Sequence, residues 1–241
     1  MKTKFIYFFL TQMIINSCAV GQERQQSYTC IFTDVAIKID GKQHESIWKS
    51  IDPIWFIPNE KEKLKAKSWF KITWNSEYLL FYFWLEDKDI QAQMTNRDDH
   101  LWLEEVMEIF IDADSNPKTY YEFEWNALNT ILDLYVLNPN LNRDVIRQWW
   151  NWDCEGLLSA VSVQGTINNS KDNDKGWFLE VAIPFSEIQS AENIPPKNGD
   201  IWRFDLTRRE GTEENGTLQK SSWLPPSTHF PMSYGKLIFN K

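Results

Sequence analysis

Apolar residues in this chain recur at alternate positions or in short runs over residues 34–39, 66–74, 78–86, 106–112, 120–126, 130–136, 157–165, 177–183, 201–208 and 235–239. Alternation with a period of two is the signature of strands, and no stretch sustains the helical period. Polar residues suited to tight turns separate the runs, as at Asn75-Ser76-Glu77, Asp114-Ser115-Asn116-Pro117 and Asp172-Asn173-Asp174-Lys175-Gly176. Only residues 99–104 and 184–190 suggest short helical turns. A sheet with one apolar face must cover it, so the predicted architecture is all-β: a two-sheet antiparallel β-sandwich of immunoglobulin-like or jelly-roll-like form. With 241 residues, of which 42% are hydrophobic, one core and one domain over residues 34–241 are expected.

The first residues have another purpose. Lys2 and Lys4 precede an apolar run over residues 5–15, too short to span a bilayer, and small residues follow. This pattern reads as a secretory signal over residues 1–17. Ile15-Asn16-Ser17-Cys18 resembles a bacterial lipobox, in which Cys18 carries the lipid; cleavage after Ala19-Val20-Gly21 would instead release a soluble protein. The lipid anchor is favoured because Cys18 falls where the apolar run stops. The expected location is therefore the outer membrane or periplasm, with soluble secretion as the alternative. Residues 18–33 read as a polar tether or the lead-in to an edge strand. Cys30 and Cys154 could pair after export, although two cysteines make no framework and two free thiols are the alternative. The formal charge of −9 argues against nucleic acid and against direct electrostatic attachment to anionic lipid, leaving the lipid anchor as the one expected membrane contact.

Within the run Val106-Met107-Glu108-Ile109-Phe110-Ile111-Asp112, alternation puts Met107, Ile109 and Ile111 on one face and Val106, Glu108 and Phe110 on the other. Glu108 thus shares a face with apolar neighbours, where a partly wet carboxylate either meets backbone donors and Arg or accepts from ligand hydroxyls. The chain also has 13 Trp. An indole matches the axial C–H face of a sugar ring, while carboxylates and amides match its hydroxyls. Most Trp, among them Trp177, are expected in the core. The polar setting of Arg147-Gln148-Trp149-Trp150-Asn151-Trp152-Asp153 makes Trp149 or Trp150 a candidate wall for a ligand, opposite Trp102.

The ordered set of motifs resembles the family 9 carbohydrate-binding modules and related bacterial proteins. It comprises Ile39-Asp40-Gly41 before Trp48, Trp74-Asn75 before Tyr78-Leu79, and Trp102 six residues before Glu108 in Glu-Ile-Phe-Ile-Asp. Gly176-Trp177 before Glu180-Val181-Ala182-Ile183-Pro184-Phe185, Gly199 before Trp202-Arg203, Ser222-Trp223 and Tyr234-Gly235-Lys236-Leu237 complete it. The resemblance implies a sandwich that binds saccharide without catalysis and supports polysaccharide capture or breakdown. It also implies Trp102 as an aromatic wall and Glu108 as the sugar-binding acid. Asn126 and Asn129 are added as amide contacts, because they end a strand placed beside Glu108. A second clamp Trp is replaced by His229-Phe230-Pro231, and the strand where relatives carry a sugar-contacting Arg reads Tyr121-Glu122-Phe123-Glu124-Trp125-Asn126.

The resembled family carries structural calcium, and Asp87, Asp89, Asp98, Asp112 and Asp114 supply hard oxygen ligands for it. No organic cofactor is expected. Two alternatives remain from the residues themselves. Glu108 with Glu122 or Glu124 could form a glycosidase pair, and Met94, Met107 or Met232 with His100 or His229 could hold haem.

Overall fold

The computed structural model describes residues 26–59, 66–141, 146–211, 218–224 and 229–241. Alternating residues form strands where the pattern is longest: β4 (Ser68–Trp74), β5 (Tyr78–Glu86), β6 (Val106–Asp112), β7 (Thr119–Trp125), β8 (Ile131–Leu137), β10 (Leu158–Gln164), β11 (Gly176–Pro184), β12 (Ile201–Glu210) and β14 (Gly235–Asn240). Five further strands complete the set: β1 (Ser27–Phe32), β2 (Ile54–Trp55), β3 (Ile57–Pro58), β9 (Arg147–Trp149) and β13 (Gln219–Ser222). Among the described residues, helix is confined to one turn, α1 (Ser46–Ser50), and to 3-10 turns at Leu101–Leu103, Phe185–Glu187 and Pro231–Ser233.

The expected strand at residues 34–39 does not form. The chain pairs earlier, and β1 occupies part of the segment read as a tether. β1 lies between β14 and β4 and runs parallel to both, so the arrangement is not purely antiparallel. Nor does hydrogen bonding divide the strands into two separate sheets. The path through one 14-stranded sheet runs β10-β11-β5-β4-β1-β14-β12-β6-β7-β8-β9, with β2 paired to β4, β13 to β12 and β3 to β13 off it. The sheet curls so that Phe81 and Leu179 of one half share a core cluster with Ile109, Phe204 and Leu206 of the other.

Three layers of packing follow from the alternation. The central core takes one face of β4, β5, β6, β7, β11 and β12, and it includes Trp177 at 1% exposure. Cys30 and Cys154 are both buried and unbonded, so they are the two free thiols rather than a bridge. The outer face of β5 and β11 is covered by Trp48, Ile37 and Ile39 from α1 and the segment leading into it. The outer face of β6, β7 and β8 carries a second apolar cluster that includes Val106, Phe110, Leu134 and Tyr234.

Glu180 holds the first of these covers in place. Its Oε2 accepts from the backbone N–H groups of Asp40 at 2.9 Å and Gly41 at 3.0 Å, and its Oε1 accepts from Trp48 Nε1 at 2.9 Å. Gly41 has φ +72°, and an added Cβ would stand 3.1 Å from the Ser162 backbone nitrogen, so both its conformation and its contact require glycine. Burial raises the Glu180 carboxyl to about 6 against the pull of these donors. Glu180→Ala strands three donors beside the sheet, each costing roughly 1–3 kcal/mol when left unsatisfied. A loss of at least about 3 kcal/mol in urea denaturation is expected; a change below about 1 kcal/mol would show that the segment is held by apolar contact alone.

Candidate functional site

The site lies on the outer face of β6, β7 and β12. Glu108 stands opposite Glu124 of β7 and Thr207 of β12, and Phe110 stands opposite Glu122 and Asp205. Directly paired residues share a face, so Glu108, Glu122 and Glu124 converge. Glu108 is 4% exposed and therefore buried rather than partly wet. Burial raises its carboxyl to about 7, against the attraction of Arg209 and Lys220. Burial, then the Glu108 charge, raises Glu122 to about 8, and Glu124 is pushed well above the usual carboxylate range for the same reasons. Glu122 and Glu124 lie two positions apart on one strand, so they share this face and each disfavours the charge of the other. Among the described residues, Glu122 Oε2 and Glu124 Oε2 have no hydrogen-bond partner.

Two groups that sequence reasoning did not assign to the site complete it. His229 Nδ1 is 2.7 Å from the Tyr120 hydroxyl and 3.6 Å from Glu122 Oε2, and its ring meets Phe110 edge-on at 5.5 Å. The signal was present, since His229 begins the segment that replaces the expected clamp Trp. Arg209 approaches from β12 rather than from the strand expected to carry an arginine, and only the pairing of β12 with β6 reveals it.

Trp102 and Trp150 come together, but not as opposed walls. Their ring centroids are 5.9 Å apart at 50°, and His100 stacks on Trp102 at 4.5 Å and 22°. A sugar held between two rings needs them roughly 7–8 Å apart, two contact distances of about 3.5–4 Å. The pair is therefore a continuous platform. Trp149 is elsewhere: it pairs with Tyr135, whose ring contacts Tyr121, on the face opposite Glu108. Three indoles so close in sequence take different directions because alternation turns successive side chains over.

Both amide candidates are structural. Asn126 is fully buried; its Nδ2 donates to Met94 O at 2.8 Å and Glu104 Oε1 at 2.7 Å, and its Oδ1 accepts from the Leu128 and Thr130 amides at 3.0 Å. Asn129, at φ 62°, accepts from Ser159 Oγ at 2.8 Å and donates to Ser159 O at 3.3 Å. Of the haem candidates, Met107 faces the core, Met232 is exposed and His229 lies on Tyr120, while Met94 and His100 line one shallow cleft in which His100 is stacked on Trp102.

The five aspartates do not form one cage. Asp87 is buried against Arg208 at 3.3 Å, Asp89 accepts from Gln91 at 2.7 Å, and Asp114 stands beside Asp112, whose carboxyl burial raises to about 7. Of the five, Asp98 alone joins a group with ligand spacing: its carboxylate and those of Asp133 and Asp153 lie within 4.8 Å of one another. Arg97 already pairs with Asp133, and with Asp153 at 2.8 Å.

The family model for "Carbohydrate family 9 binding domain-like" proteins matches residues 39–240. The chain belongs to this family. An extracellular protein of Arthroderma benhamiae is 27% identical over 70% of this chain and 77% of its own length. Endo-1,4-beta-xylanase A of Thermoanaerobacterium saccharolyticum is 24% identical over 78% of this chain, which spans only 14% of that enzyme. Among solved structures, a family 9 module from Caldicellulosiruptor kristjanssonii in complex with glucose superposes with a TM-score of 0.62 at 14% identity, covering 89% of this chain and 96% of the module. A candidate carbohydrate-binding protein from Bacteroides uniformis gives 0.70 at 17%, covering 89% of this chain and 99% of that one. These likenesses show the fold.

The raised carboxyls make a pH-dependent expectation. The folded protein retains protons on Glu108 and Glu122 that the unfolded chain releases near its ordinary value of 4.5, so stability declines as pH rises from there through about 8. Melting temperature should fall between about pH 5.5 and about pH 8.5, and Glu122→Gln, which cannot ionise, should flatten part of that fall. A wild-type melting temperature constant across the interval would mean that these acids are ionised and paired.

Proposed function

We propose that the chain binds saccharide without catalysis, on the platform of Trp102 and Trp150 beside the buried acids. The observation that carries this reading is the buried oxygen without a hydrogen bond on each of Glu122 and Glu124 among the described residues, with His229 as the near neighbour of the first, on the sheet face that also carries the platform. Such oxygens favour a ligand rich in hydroxyl donors. Protonated acids both donate and accept, as paired sugar hydroxyls require, and the indoles supply a flat apolar surface. The family 9 modules solved with glucose and with cellotriose support a glucose-based ligand. Glu108 stands directly opposite Glu124 and diagonal to Glu122 on the neighbouring strand, so these acids crowd one another on one face rather than flanking a gap, which favours binding over a glycosidase pair.

Export follows from the signal-like first residues and agrees with the extracellular relative. Anchoring through Cys18 is part of the proposal, and Cys18 lies outside the described residues. The calcium proposal moves from the five aspartates to Asp98 with Asp133 and Asp153, whose three carboxylates exceed the single charge of Arg97.

Calorimetry with cellotriose tests the binding reading. Trp102→Ala should weaken affinity about tenfold or more, equivalent to about 1.4 kcal/mol, while the domain stays folded and releases no reducing sugar. Trp177→Ala should instead cost about 3–5 kcal/mol of stability by opening a core cavity. Normal binding by a Trp102→Ala protein that unfolds as readily as Trp177→Ala would place Trp102 in the core and overturn the site. For calcium, mass action requires a higher melting temperature at saturating ion than in chelator; superimposable curves would remove the ion.

A further inference from the structure

A cleft of about 630 Å3 opens on the side of β7 and β8 away from Glu108. Its wall is a run of touching rings: Tyr121 meets Tyr135 at 5.1 Å and Trp152 at 5.2 Å. The Tyr121 hydroxyl accepts from the Ser190 amide at 3.2 Å, which fixes that ring. Trp149 stands next to this wall, since it pairs with Tyr135 across β8 and β9, and it is 56% exposed. Glu155, Glu187 and Gln189 stand at the rim. Among the described residues that line the cleft, none is Lys or Arg.

We propose that this cleft is a second saccharide-binding site, selective for sugars without acidic groups. The proposal rests on the carbohydrate-binding reading but not on the Trp102 platform. Aromatic faces suit the C–H surface of a pyranose, and carboxylates with an amide suit its hydroxyls. The size falls in the range of small-molecule sites, roughly 300–1,000 Å3. Glu155 and Glu187 repel uronate or sulfated sugars, whereas Asp153, which also lines the cleft, is already paired with Arg97. The two sites lie on opposite faces of the same strands, so one chain can bridge two glycan segments and gain avidity without new contacts.

Calorimetry with cellotriose on the intact protein decides between one site and two. Two sites per chain are expected in the wild type and one in Trp102→Ala. That remaining site should weaken roughly fivefold or more on adding Trp149→Ala or Glu155→Gln, both exposed positions whose substitution leaves the core intact. Complete loss of binding in Trp102→Ala overturns the second site and leaves the platform standing. A single site that ignores Trp102→Ala but is lost in Trp149→Ala keeps the cleft and overturns the platform. Binding unaffected by either cleft variant, or no cellotriose binding at all, overturns the proposal.

Discussion

Strands β6 and β7 are buried on both faces, and that constraint shapes everything around the site. Their inner face fills the core, so the outer face must carry any chemistry these strands perform, although its side chains are themselves buried. An acid placed there either finds donors or loses its charge. Burial pushes Glu108, Glu122 and Glu124 towards the second course, opposed chiefly by the attraction of Arg209 and Lys220 for Glu108.

Glu180 shows the other course on the opposite half of the sheet. It is as buried as the site acids, yet three donors from the Asp40-Gly41 segment and Trp48 meet it. The contrast separates a structural acid from one with capacity to spare. Glu180 joins a covering segment to its sheet, whereas Glu122 and Glu124 each keep an oxygen without a hydrogen bond among the described residues.

The aromatic residues divide by the same geometry. Trp177, Trp125 and Trp223 complete the core, while Trp102 and Trp150 gather at the edge of the outer cluster. The departure from an opposed pair of rings follows from the closing segment, where His229 reaches Tyr120 and Glu122 instead of presenting an indole. The family relation sets the fold, and these local changes distinguish the face on which the proposed site lies.

The sequence by itself determined the long strands, their facing and the placing of Glu108 on one face with Val106 and Phe110, because a period of two is a local property that survives any packing. It also determined that Trp149, Trp150 and Trp152 cannot point one way. Only the tertiary structure decided that β1 pairs in parallel at the centre of the sheet, since the short run Ser27–Phe32 gains its stability from distant partners in β4 and β14. It likewise decided that Glu108 is buried outright, that Asn126 and Asn129 bind within the fold, that the five aspartates scatter, and that Arg209 and His229 reach the acids. Each of these depends on which residues, far apart in the chain, the sheet brings side by side, and strand periodicity carries no record of pairing.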